Sequence, residues 1–353
     1  MFMNARGRAV RVAMPAVALA FLLCAPAVRG NDSAAGVSAG GIVLRHEHRI
    51  AMRKEVLDIK QFGDEKYQSQ FAVSADYDFV NESKEDITAE ITFPVPLYRN
   101  VDDASGNRNL GVFRAWVEGN EIPVVKEVRA LAAKRHRDIA PLLRKLGLDI
   151  ENFAVVLQPD GTRKTQLETL SPDDLGRLVR AGALDSVDFR NSAFPATWTV
   201  SILWHWKQRF PPGKTVHVRH EYTPSAGKAY GGDALREKDP NAVPDACLDS
   251  ATLKQLDAEA EKLKEHGPVS AAYWVNYILT TANKWKTPIR EFELRVQARK
   301  NYSVSFCWNG KIERISDSTV RAVATNFFPR QELKVYFLGV GQHDGSGSLV
   351  MPE

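Results

Sequence analysis

Apolar and polar residues alternate in two stretches near the start of the chain. From Tyr67 to Phe79, the positions Tyr67, Phe71, Val73, Ala75, Tyr77 and Phe79 are apolar and most of those between are polar. From Ile87 to Phe93 the pattern repeats: Ile87, Ala89, Ile91 and Phe93 are separated by Thr88, Glu90 and Thr92. A period of two sends alternate side chains to opposite faces, so each stretch predicts a half-buried strand. The polar run Asn81–Asp86 between them predicts a turn, and the two strands an antiparallel hairpin. Pro94 and Pro96 end it, because proline has no N–H for the ladder. On this parity Ile91 faces the core, while Thr92 faces outward and tolerates a charge.

The same reading predicts strands over Phe113–Val117 and Ile122–Val125, and again from Thr197. There Trp198, Val200, Ile202, Trp204 and Trp206 share one face, which points to core packing rather than a glycan platform. Phe210-Pro211-Pro212-Gly213 turns the chain, and Val216, Val218, His220 and Tyr222 return. Tyr273–Thr281, Ile289–Val296, Ser303–Trp308, Val320–Ala324 and Leu333–Leu338 supply a C-terminal β region. Helix is expected over Glu127–Leu146, rich in Ala, Leu, Arg and Lys and interrupted by Pro141. A second helix starts at Ser171-Pro172-Asp173-Asp174, with a cap, a first-turn proline and acids at the positive end, and stops by Gly182. A third runs from Thr252 to His266.

The expected organisation is mainly β: antiparallel β-sandwich modules with a helical insertion and one further helix. Residues 31–125 form an N-terminal β region, and 126–190 the helical insertion. Residues 191–240 complete the first β region and add a long loop, 241–340 are a helix with the C-terminal β region, and 341–353 a disordered tail.

Residues 1–30 stand outside this scheme. Arg6, Arg8 and Arg11 precede the apolar stretch Val12–Val28, with small Gly30 at its end, the build of a secretory signal peptide cleaved near Gly30. Pro15 and Pro26 and the short apolar length argue against a retained transmembrane helix. The chain is therefore expected in the periplasm or outside the cell. The segment carries four arginines and no acid, so the 47 basic and 43 acidic residues balance once it is removed. A balanced chain has no general electrostatic footprint for nucleic acid. The local cluster Lys126, Arg129, Lys134, Arg135, Arg137, Arg144, Lys145 reads as a solvated face.

Cleavage leaves two cysteines, Cys247 and Cys307, and in an oxidising compartment they are expected to pair. Little else suggests chemistry. Gly36-Val37-Ser38-Ala39-Gly40 matches the nucleophile-elbow pattern but lacks a strand before it and a helix after it. It reads as a flexible small-residue terminus. His46 and His48 share one strand face, His217 and His220 fall on opposite faces, and no HExxH or CxxC motif adds further ligands. Trp116 has too little context to place. No catalytic, cofactor-binding or metal-ligating residue is assigned, and no cofactor is implied.

Several stretches, taken together and in order, resemble the bacterial family catalogued as domain of unknown function 4424. They are Asn31-Asp32-Ser33, Gly40-Gly41-Ile42-Val43-Leu44, NESKEDITAEITFPVP, WHWKQRFPPGKTVHVRHEYTPS, YILTTANKWKTPIREFEL and VSFCWNG. The resemblance implies a secreted protein of unassigned activity, with cysteines at positions like 247 and 307, and carries no catalytic residue. The glycine-containing loop at Lys228-Ala229-Tyr230 departs from it. An exported, non-catalytic binding or structural module of the envelope or extracellular space is the leading expectation, its partner there unknown. A secreted hydrolase of wall polymer or glycan is the alternative. A pocket of titratable groups with shifted pKa values favours the hydrolase, and an apolar groove the module.

Overall fold

A computed structural model describes residues 33–38, 41–44, 47–63, 70–94, 98–99, 113–132, 137–153, 155–157, 163–191, 195–224, 226–231, 246–316, 318–343 and 349–351. The signal-peptide reading of residues 1–30, and with it the cleavage point, lies outside them. The described chain is mainly β, in mixed and antiparallel sheets.

The largest sheet has eight strands in the order β18 (Ile312–Ser316), β19 (Thr319–Phe327), β16 (Ile289–Gln297), β3 (Ile50–Phe62), β4 (Gln70–Asn81), β13 (Thr215–Tyr222), β7 (Arg114–Val117), β8 (Asn120–Ile122). Its one parallel pairing joins β3 to β16, from Lys54↔Glu291 to Lys60↔Gln297. The second sheet runs β2 (Gly41–Leu44), β1 (Ser33–Ser38), β5 (Ile87–Pro94), β12 (Thr199–Phe210), and both β6 (Tyr98–Arg99) and β9 (Val125–Leu131) pair with β12. The third runs β14 (Gly227–Gly231), β15 (Pro268–Tyr277), β20 (Leu333–His343), β17 (Ser303–Ser305), with β21 (Leu349–Val350) on β20. A separate hairpin pairs β10 (Val155–Leu157) with β11 (Arg163–Thr165).

One face of the large sheet is packed against both of the others. Val73, Tyr77 and Phe79 share a continuous core with Ile91, Phe93 and Phe210 of the second sheet and with Tyr273, Val335 and Phe337 of the third. Phe71 meets Phe337 at 4.9 Å between ring centroids, and Phe79 meets Trp285 at 4.6 Å. Burying each such ring stabilises the fold by about 1.5–3 kcal/mol.

The expected hairpin of β4 and β5 does not form. Both strands are present with the expected parity, but β4 belongs to the large sheet and β5 to the second. They pack face to face, since two apolar faces can be buried by stacking as well as by edge pairing. The return from β12 to β13 crosses between the same two sheets. Asn81 joins the two crossings. Its Nδ2 donates to Glu85 O and to Phe210 O, each at 2.7 Å, and its Oδ1 accepts from Ser83 N at 2.9 Å and Ser83 Oγ at 2.8 Å. Gly213 N donates to Asn81 O at 2.8 Å. Asn81 is fully buried and fastens both corners with side chain and backbone.

Thr92 corrects a second expectation. It lies on the face opposite Ile91, yet it is fully buried as well, so the second sheet is covered on both faces there. Thr88 is exposed and is the position on that face that would accept a charge.

The helical expectation for Glu127–Leu146 is half right. β9 occupies Val125–Leu131 and pairs with β12 over its whole length, so ladder pairing overrides a composition that favours helix. Helix α1 (Ala140–Lys145) follows, with Pro141 in its first turn rather than at a kink. Helix α2 (Pro172–Ala181) starts as expected: Ser171 Oγ accepts from Asp174 N at 3.2 Å, and Gly182 closes it at φ +76°. α1 and α2 help bury Trp198, Val200 and Ile202 in a second core.

At the other end, helix α3 (Ser250–Lys262) is capped by Asp249, which accepts from Thr252 N at 2.7 Å. Leu256 packs with Tyr336, Leu338 and Val340 on the outer face of the third sheet. Three smaller differences concern loops. Residues 227–231, expected in a loop, form edge strand β14, and Gly227 admits the Trp274 ring, which a Cβ would overlap at 2.0 Å. Ser303–Trp308 is strand only to Ser305. The described part of the tail is ordered: Gln342 and His343 pair with Val350 and Leu349, and Met351 is buried against Gly339.

Candidate functional site

The aromatic end of the large sheet forms a pocket. Phe292 on β16 stands opposite Ala324 on β19, so the Ala leaves room beside the Phe. Trp308 packs into that room, 5.7 Å from Phe292 and 5.3 Å from Phe327, while Phe292 and Phe327 lie 4.8 Å apart. A cavity of about 390 Å³ opens above, walled by Leu279, Trp308, Val323, Phe327, Phe328 and Leu333. That volume is within the range of small-molecule sites. Phe328 is 54% exposed and Val323 43%, an unusual amount of apolar surface beside a cavity.

The pocket has a built frame. Glu332 accepts from Thr280 N at 3.2 Å and from Thr280 Oγ1 at 2.5 Å, and Asn283 Nδ2 donates to Pro329 O at 2.8 Å. These bonds tie the 328–332 loop to the turn at Thr280–Lys284. Trp308 Nε1 is buried and has no hydrogen-bond partner among the described residues. A Cβ at Gly310 would stand 2.9 Å from it, so glycine there lets the backbone lie against the indole edge.

Cys307 also lines the pocket, and its sulfur is bonded to that of Cys247, with 5.1 Å between the Cα atoms. Ser305 Oγ donates to Ala246 O at 2.5 Å. The segment leading into α3 is thus held by a covalent bond and a hydrogen bond to the strand leading into the pocket.

A second, polar surface covers the solvent face of the large sheet. Two adjoining grooves of about 360 and 530 Å³ share Asp76 and Arg219. Burial raises the Asp58 and Asp76 carboxyls above their ordinary value, since their guanidinium partners, Arg295 and Arg219, stand 3.9 Å away. Next to them Glu293 goes the other way. It accepts from Arg321 Nε at 2.6 Å and Arg295 Nε at 2.8 Å, and these bonds, Arg321's foremost, hold its carboxyl down to about 2. A lowered folded value means that the ionised pair stabilises the fold above the ordinary value of 4.5, and that this is lost as pH falls through about 2. Glu293→Gln is expected to cost about 1–2 kcal/mol at neutral pH, allowing for the exposure of both arginines. The cost should vanish near pH 2, as read by denaturant unfolding across that range; a pH-independent difference would reject the ion pair as its cause.

The sequence candidates for chemistry do not converge. Ser38 ends strand β1 and pairs with Gly41 of β2; the described part of the GxSxG run, Gly36 to Ser38, is strand, and Ala39 and Gly40 lie outside the described residues. His46 lies outside the described residues, and His48 is exposed. His217 Nδ1 is 2.6 Å from Asp78 Oδ1 on the outer face, whereas His220 is fully buried, 4.7 Å from Phe93 and 5.3 Å from Tyr77. Among the described residues no three His, Cys, Asp or Glu side chains gather to hold a metal ion. Trp198 and Trp206 are buried, Trp204 stacks on Phe113 at 5.4 Å, and Trp116 lies under Arg114 at 4.8 Å. The basic cluster is dispersed: Lys126 pairs with Glu151, Arg129 with Glu127, and Arg144 donates to Val128 O. Lys134 and Arg135 lie outside the described residues. No described helix is long and apolar enough to cross a membrane. Sequence reasoning missed the pocket, although Trp308, Phe327 and Phe328 were visible as aromatics at strand ends.

Among curated proteins, none matches the chain. Of solved structures, a candidate nutrient binding protein of Legionella pneumophila is 14% identical, with 88% of this chain and 71% of that one covered at a TM-score of 0.46. The M1 zinc metallopeptidase of Deinococcus radiodurans is 7% identical at a TM-score of 0.26, and the chain spans 43% of its length. Residues 30–336 match the family described as domain of unknown function DUF4424, and the chain belongs to that family.

Proposed function

We propose that the protein is an exported, non-catalytic binding module of the envelope or extracellular space, and that it binds through the pocket of Trp308, Phe327 and Phe328. The observation that carries this reading is a ligand-sized cavity walled by aromatic side chains that stay partly exposed. Leaving such surface in water is unfavourable, and a ligand that covers it recovers about 25 cal/mol for each Å² buried. The bonded cysteines and the balance of charge outside the first thirty residues fit export through a signal peptide cleaved near Gly30.

The purified mature protein is expected to bind naphthalene, a neutral apolar fluorophore small enough for the cavity, at one site. Phe328→Ala should weaken that binding about fivefold and leave thermal stability nearly unchanged, because the ring is half in solvent. An absence of binding, or binding indifferent to Phe328, would overturn the assignment. The raised carboxyls of Asp58 and Asp76 speak for the alternative, a secreted hydrolase. The same preparation should release no fragments from wall polymer; release that is abolished by Asp76→Asn would establish the hydrolase instead.

A further inference from the structure

The rim of the pocket differs in character from its floor. Arg330 lines the mouth and is exposed, and among the described residues its guanidinium has neither an ion-pair nor a hydrogen-bond partner. Asn309 and Gln331 stand on the same rim, both exposed, each with an amide able to donate. The acid on the rim, Glu332, has both carboxylate oxygens occupied by Thr280, one by the backbone N–H and one by the hydroxyl. These bonds fix the carboxylate against the Thr280 turn, while each oxygen keeps a further acceptor site.

Resting on the pocket as the binding site, we propose that its ligand is a small amphiphilic carboxylate, with an apolar body on Trp308 and Phe327 and its anionic head at Arg330. The floor excludes a polar body: Leu279, Phe327 and Leu333 have no side-chain groups to satisfy hydroxyls or amides, and burying those unpaired is costly. The size sets a limit. A volume of about 390 Å³ equals about thirteen water volumes at ~30 Å³ each, room for a body of about a dozen non-hydrogen atoms. The head follows from the guanidinium, whose planar fork matches a carboxylate through two parallel N–H···O bonds. A cationic head would meet the like charge of Arg330 at the mouth, and a neutral head would leave the guanidinium fork unused.

Decanoate and decanol share one apolar body and differ in the head, so they separate the head-group claim from the pocket claim. Calorimetric titration at low salt should show decanoate binding about fivefold more tightly than decanol, with the advantage shrinking at high salt as the exposed charge is screened. Arg330→Gln should erase the advantage and leave decanol unaffected, and Arg330→Lys should restore part of it. Phe328→Ala should weaken both. Equal binding of the two amphiphiles, or an advantage that survives Arg330→Gln, overturns the carboxylate head while dependence on Phe328 upholds the pocket. If neither amphiphile binds, or Phe328→Ala changes neither affinity, the pocket itself is wrong and the ligand class falls with it.

Discussion

Asn81→Ala is expected to destabilise the protein by about 3–4 kcal/mol, a large share of the roughly 5–15 kcal/mol that holds a typical domain folded. The side chain makes four hydrogen bonds inside the protein, two as donor to Glu85 O and Phe210 O and two as acceptor from Ser83. Each is worth about 1 kcal/mol net, and truncation leaves the buried Phe210 carbonyl without this donor. Asn81→Asp should be at least as damaging although it changes no volume, since it replaces the donating amide by an oxygen facing two carbonyl oxygens. Ser83→Ala is the control. That residue is only half-buried and shares the acceptor side alone, so its loss should stay near 1 kcal/mol. Chemical denaturation of the three variants decides the matter. Equal, small effects at 81 and 83 would mean that the sheet crossings are held by the strands and not by Asn81.

Removing the Cys247–Cys307 bond has an effect of similar size from a different source. The bond spans 60 residues of sequence, and releasing a loop of that length returns entropy to the unfolded chain worth about 4 kcal/mol at most. For a chain of this size that lowers the melting temperature by roughly 6 °C. The double variant Cys247→Ala/Cys307→Ala should show this loss and also weaken naphthalene binding, because Cys307 is part of the pocket wall. Peptide mapping without reductant, on protein recovered from the envelope or medium, should yield the linked peptides and a mature start near Asn31. Free thiols in that protein, or an intact Met1 start, would contradict the oxidising address from which the bond was inferred.

Alternation in the sequence made the strands visible, because the parity of a strand is a local property. It identified the buried set Phe71 to Phe79 on β4 and, in and just before β12, Trp198, Val200, Ile202 and Trp206, with Trp204 half-buried. Pairing is not local, and there the reading failed: β4 and β5 have a short polar link yet lie in different sheets, since Asn81 turns the link into a corner. Thr92 looked outward-facing because a single strand does not reveal whether its polar face is covered too. β9 was hidden by Lys126, Glu127, Arg129 and Ala130, whose helix preference is weaker than a full ladder to β12. The pocket was least legible. Its aromatics come from β16, the loop after β17 and the end of β19, and each alone has the signature of an ordinary core residue.

The parallel pairing of β3 with β16 has a consequence for how the molecule reaches its native state. Contacts between positions such as Leu57 and Leu294 span most of the chain, so the large sheet cannot close until nearly the whole sequence has been made. Until then β3, thirteen residues long and rich in apolar side chains, is an open edge with one row of backbone groups waiting for a partner. Such long-range closure is slow, and an open apolar edge recruits other chains while it waits. The order of synthesis therefore makes the nascent protein adhesive until β16 has been made, and a companion that shields β3 at that stage would serve the folding of this protein more than any change to its finished surface.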